Sequence, residues 1–145
     1  MTVDQAGPRS WAFTDALVLA SVVLIQGNED HDLAALIGTA DYIDRLVLGR
    51  EEIESAVNAL AAHSFLAAHE RLVPTDAGRS LWADAAMGRS TLAAVSNLLL
   101  RLNATATEPL GGERWVLTQS DYEAAVREYQ RRFAAALKRL DEGAK

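Results

Sequence analysis

The chain has 145 residues and a formal net charge of −6; half of it is hydrophobic and 23% is charged, which describes an ordered globular protein of one domain, or one small domain with an arm. It contains no cysteine, so disulfides and cysteine-based zinc or thiol chemistry are excluded. No apolar run reaches the roughly 18 residues of a membrane span; the longest, residues 16–25, also lacks the basic flank and cleavage motif of a signal peptide, so the expected location is cytoplasmic, away from membranes.

Residues 1–10 hold Gly7 and Pro8 without periodicity and read as a flexible tail. Thr14 then reads as an N-cap, with Asp15 in the first turn and Phe13 and Val18 placed as a hydrophobic staple. The helix it opens runs to about Gln26, where Gly27-Asn28 ends it. It is apolar on nearly every side, which predicts a central position. Asp30 is the expected cap of a second helix. Leu33, Leu36, Ile37, Ala40 and Ile43 repeat there at threes and fours, and the pattern reaches about Arg45. After a turn at 46–49, a third helix over 50–64 buries Ile53, Val57 and Leu60. Phe65 and Leu66 lead into a very short hairpin turning at His69-Glu70. Thr75 caps a fourth helix, with Asp76 beside it.

Further on, Leu92, Val95, Leu99 and Leu102 are spaced like a heptad, and Met87-Gly88 is the expected kink before them. A loop over 103–112 contains Pro109 and Gly111-Gly112, and 114–118 reads as a short extended piece. Ser120 and Glu123 form a capping box. Behind it Tyr122, Val126, Tyr129, Phe133, Ala136 and Leu140 step by fours and threes, a regular helical seam.

The order helix, helix, hairpin, helix over residues 32–81 carries a resemblance. Asp32-Leu33-Ala34-Ala35-Leu36, the third helix, and Leu72-Val73-Pro74-Thr75-Asp76-Ala77-Gly78-Arg79 resemble the winged-helix domains of MarR-like and PadR-like bacterial regulators. About a third of the chain is covered. The resemblance implies a mainly α fold with a small β-hairpin: a winged helix-turn-helix over 11–86, followed by a C-terminal helical arm over 87–145. It also implies that the third helix enters the major groove of DNA and that terminal helices pair two subunits. The DNA-facing residues would be Arg50, Glu51, Ser55 and Asn58, joined by Arg71 and Arg79. Asn58 is a residue type that reads adenine, and Ser55 one that reads several bases. The dimerisation residues would be Leu92, Val95, Leu99, Leu102, Tyr122, Val126, Tyr129, Phe133 and Leu140. These two stripes are expected to pack as a hairpin within one chain or to pair between two, with a homodimer favoured because together they expose more apolar surface than a lone hairpin hides.

Charge opposes the DNA reading. Residues 14–80 hold four basic and eleven acidic side chains, whereas 81–145 hold nine and eight. A DNA-binding surface normally has the opposite sign. Glu51, Glu52 and Glu54 crowd the start of the third helix, where the helix dipole favours them. The hairpin has no tip long enough to reach a groove, and His63-Ser64 stand where those families often place glycine. The alternative is an acidic winged-helix module that has lost DNA binding and meets a protein partner.

Other chemistry is sparse. His31, His63 and His69 lack the spacing of a helical zinc site and read as surface or hairpin residues. Asp41 and Asp44, one turn apart, read as solvated carboxylates. No nucleophile elbow, phosphate-binding loop or dinucleotide glycine pattern occurs, so no catalytic residue, metal or cofactor is expected. Trp11, Trp82 and Trp115 could line a ligand pocket between core and arm, although packing at the junctions is the plainer reading. Arg127, Arg131, Arg132, Lys138 and Arg139 alternate with acids on the last helix, which reads as an ion-paired face.

Overall fold

The computed structural model describes residues 10–105, 108–110 and 113–143. The tail expected at 1–10 therefore lies, apart from Ser10, outside the described residues. The described chain is mainly helical with one two-stranded antiparallel hairpin: α1 (Phe13–Ile25), α2 (Leu33–Asp44), α3 (Arg50–Ala62), β1 (Leu66–Ala68), β2 (Leu72–Pro74), α4 (Asp76–Ala86), α5 (Thr91–Ala104) and α6 (Gln119–Gly143).

Helix α1 is central because it has no polar face to give to water. Ala16, Leu17, Val18, Leu19, Ala20 and Val22 are all fully buried, and α1 packs against α2, α3, α4, α5 and β2. Its start lies earlier than the Thr14 cap predicts. Ala12 is the extended N-cap residue, and the Asp15 carboxylate accepts its N–H at 2.9 Å. The staple expected from Phe13 shifts with it: Trp11, one residue before the cap, is the aromatic that is buried, edge-on to His63 and Phe65. His63 is thus a core residue and not a surface one.

Asp32, not Asp30, caps α2, accepting the Ala35 N–H at 3.0 Å. Leu36, Ile37 and Ala40 face the core from α2, and Ile53, Val57 and Leu60 from α3. The hairpin pairs Leu66 with Pro74, Ala67 with Val73 and Ala68 with Leu72, three residues to a strand, as short as the sequence leads one to expect. Ser64 enters it with φ 66°, the left-handed turn for which glycine is the easier residue. Thr75 caps α4 by accepting the Gly78 N–H, and its hydroxyl donates to the Ser64 carbonyl at 2.6 Å.

Two expectations about the C-terminal half are corrected. Met87-Gly88 does not kink one helix; it separates α4 from α5, with Gly88 at φ 71°. More importantly, α5 is not one limb of an arm. Ala94, Val95, Leu98 and Leu102 are fully buried because α5 closes the core against α1 and α4. Asn103, expected in the loop, belongs to α5 and accepts the Trp11 N–H at 2.8 Å. The α6 helix packs elsewhere, on α2. Thr118, rather than Ser120, caps it, accepting the Asp121 N–H at 3.1 Å.

Candidate functional site on the outer face of α3

Of the residues between α5 and α6, Leu110, Trp115 and Leu117 meet α3 at points from its C-terminal end to its start. The Leu110 N–H donates to the carbonyl of Ala62 at the C-terminal end of α3, at 2.7 Å. Nearer the middle, the Asn58 carboxamide takes both polar groups of Trp115: its Oδ1 accepts the Trp115 N–H and its Nδ2 donates to the Trp115 carbonyl, each at 2.8 Å. One turn earlier, Glu54 accepts the Leu117 N–H at 2.8 Å. At the start of α3, Arg50 donates to the Leu117 carbonyl at 3.0 Å. Glu54 also pairs with Arg114 at 3.1 Å and Arg50 at 3.6 Å.

Two periodicities match here. Residues 50, 54 and 58 lie on one helical stripe and rise about 6 Å per four residues. Alternate residues of an extended chain are about 6.7 Å apart. Side chains of α3 therefore meet the backbone of residues 115 and 117 as a neighbouring strand would. Val116, between them, points away and is exposed, while Leu117 is buried. The Leu117 N–H, with Arg114 and Arg50 beside it, holds the Glu54 carboxyl below the usual carboxylate range.

These contacts decide the environment of the residues expected to face DNA. Asn58 and Arg50 are engaged by the chain's own backbone, and Glu54, which the sequence did not single out as a site residue, is the third rung. Glu51 and Ser55 stay exposed beside the covered stripe. Arg79 is exposed, and Arg71 lies against the His31 ring with its Nη1 3.2–3.3 Å from the two ring nitrogens. The 50-54-58 spacing is visible in the sequence. Its partners, 57 to 67 residues away, are not.

Helix α6 is fastened to α2 and to the segment after it through polar tips and a half-buried seam. The Tyr122 hydroxyl donates to the Leu48 carbonyl at 2.7 Å, and the Tyr129 hydroxyl donates to Asp41, so Asp41 is not merely solvated. Burial and that carboxylate push the Tyr129 hydroxyl up to about 12. Arg132 forms a fork on Asp32 at 2.9 and 2.7 Å and also holds Glu128 at 2.7 Å. Gly38 lets the helices approach closely: a Cβ there would lie 2.9 Å from the Tyr129 ring.

The expected dimerisation residues divide accordingly. Val95 and Leu102 are fully buried inside the chain and offer nothing to a second copy. Leu99, Tyr122, Val126 and Tyr129 pack against the core, and Leu92 is exposed. Phe133 and Leu140 remain 53% and 72% exposed, joined by Leu137 at 51%. Length explains this. The 25-residue α6 spans about 37 Å and the 12-residue α2 about 18 Å, so α2 covers only half of the seam.

Acid should loosen this C-terminal limb. Asp32 is held below its ordinary value chiefly by Arg132, Glu54 chiefly by the Leu117 N–H, and Glu128 is brought to about 2 by Arg131 and Arg132. A carboxylate with a depressed folded pKa stabilises fully above its unfolded value, near 4, and loses that contribution as pH falls through the folded value. Amide exchange at Trp115 and Leu117 is therefore expected to accelerate, relative to amides of α1 in the same sample, as pH falls below about 4 and Glu54 takes up its proton. Equal loss of protection in both would mean that these pairs do not fasten the limb separately.

The chain was compared with protein-family models, with curated proteins and with solved structures, and it matches none of them. Among the described residues no helix is long and apolar enough to cross a membrane, and no three histidine or carboxylate side chains group closely enough to hold a metal ion.

Proposed function

We propose that this protein is an acidic winged-helix interaction module that docks on a protein partner, works as a homodimer, and does not read DNA with its third helix. The observation that carries the reading is the engagement of Asn58, Glu54 and Arg50 by residues 115 and 117. The Asn58 Nδ2 donates to the carbonyls of both Trp115 and Glu54 while its Oδ1 accepts the Trp115 N–H, so the amide keeps no free donor for a base edge. The exposed remainder of that face includes Glu51 and Glu52, which repel phosphates.

Support for the homodimer comes from the uncovered half of α6. Phe133, Leu137 and Leu140 are large apolar residues following one another at four and three along a helix, the pattern by which helices pair. Residues 14–80, with their excess of carboxylates, favour a partner with a basic surface.

The test is fluorescence anisotropy with random duplex DNA at about 50 mM salt, where phosphate attraction is magnified. The expected result is no binding. Salt-sensitive binding that Arg71→Ala and Arg79→Ala abolish would replace this reading with that of a DNA-binding regulator acting through the hairpin side. Sedimentation of the same sample should give twice the chain mass, reduced to one by Leu137→Glu.

A further inference from the structure

A cavity of about 420 Å³ lies where the N-terminal end of α2, the hairpin and residues 113–118 meet. Leu33 and Leu72, both partly buried, contribute apolar lining, Trp115 forms a wall, and Glu29, Asp30 and Glu70 stand around it. Its volume is in the lower range of small-molecule sites, which combine an apolar lining with a few polar groups that set orientation. Glu29, Asp30 and Glu70 are exposed, and of the three Asp30 lies in the field of Arg131 and Arg132. The fourth carboxylate lining the cavity, Asp32, is neutralised by Arg132, and the one lining cation, Arg71, sits against the His31 ring.

We propose that this cavity binds a small organic cation with an apolar body of one or two rings. The apolar body lies against Leu33, Leu72 and Trp115, and the charge lies among Glu29, Asp30 and Glu70. Anions are disfavoured because the four lining carboxylates outnumber the lining cation Arg71. A bare metal ion is disfavoured because the carboxylates ring the cavity without converging. An aromatic wall adds attraction for a cation that comes over its face. Because the backbone of Trp115 is clamped by Asn58, an occupant of the cavity also bears on residues 113–118 and, through them, on α3. The inference is independent of whether α3 reads DNA.

The experiment is titration calorimetry of the full chain with benzyltrimethylammonium chloride, against benzyl alcohol and sodium phenylacetate as uncharged and anionic controls of similar ring size. Saturable binding of the cation is expected, at least about tenfold tighter than either control. The double variant Asp30→Asn/Glu70→Gln alters two exposed side chains and should leave the fold intact. It should weaken binding by about fivefold or more. Ligand should also slow amide exchange at Trp115 and Leu117. The proposal is overturned if no saturable heat appears at millimolar cation, if phenylacetate or benzyl alcohol binds as well, or if the folded double variant binds with unchanged affinity.

Discussion

Replacing Asn58 with leucine is expected to free residues 114–117 from α3 while leaving the helices intact. Leucine keeps the branched heavy-atom skeleton of asparagine, though its methyls are bulkier, and returns no hydrogen bond, so the Trp115 N–H and carbonyl, both met at 2.8 Å in the native chain, lose their partners. A part-buried backbone group left unpaired costs about 1–3 kcal/mol. The chain can limit that penalty by lifting the segment into water, which exposes Leu117, a cost of about 1.5–3 kcal/mol. Either route lowers stability by about 2–3 kcal/mol. Urea unfolding measures the total. Amide exchange tells the routes apart, since lifting removes protection at residues 115 and 117 and leaves α1 protected. If both stability and protection stay unchanged, Asn58 does not hold the segment, and its amide is free to meet a base edge.

Gly78→Ala should be still more damaging, against the intrinsic preference of helices. Alanine in place of glycine inside a helix ordinarily gains about 1 kcal/mol. Here the added Cβ would lie 2.2 Å from the Phe65 carbonyl oxygen, 3.2 Å from its carbon, and 3.4 Å from a Leu19 methyl. The oxygen belongs to backbone and cannot rotate away as a side chain would. It also accepts the Thr75 N–H at 3.1 Å, while the Thr75 hydroxyl holds the Ser64 carbonyl. Moving α4 outward to admit the methyl therefore breaks the joint between hairpin and helix. Crowding of this kind costs about 3 kcal/mol or more, a fall in Tm of roughly 10 °C for a chain of this size. A melting temperature equal to or above that of the native chain would show that α4 does not approach the hairpin so closely.

What the sequence determined by itself is the set of local elements. The apolar surround of Leu17 to Val22 dictated a central α1, and Ile53, Val57 and Leu60 a buried face on α3. Thr75 marked the start of α4, and the few residues between Phe65 and Thr75 allowed only a very short hairpin. Such features follow from periodicity and capping within a few residues, and even there neighbouring carboxylates misled: Asp30 and Asp32 are equally able to cap α2, and tertiary contact with Arg132 accompanies the second.

Only the tertiary structure decided which seams meet. Leu92 to Leu102 and Tyr122 to Leu140 look alike as heptad patterns, yet the first closes the core and the second lies half on α2 and half bare. A heptad shows that a helix has an apolar face, not which surface covers it. The same holds for α3. Asn58 is equally able to present its amide to an adenine edge or to a peptide backbone, because both offer one donor and one acceptor side by side. The choice fell to the backbone of Trp115, brought there by the return of the chain along α3 and kept there by the burial of Leu117.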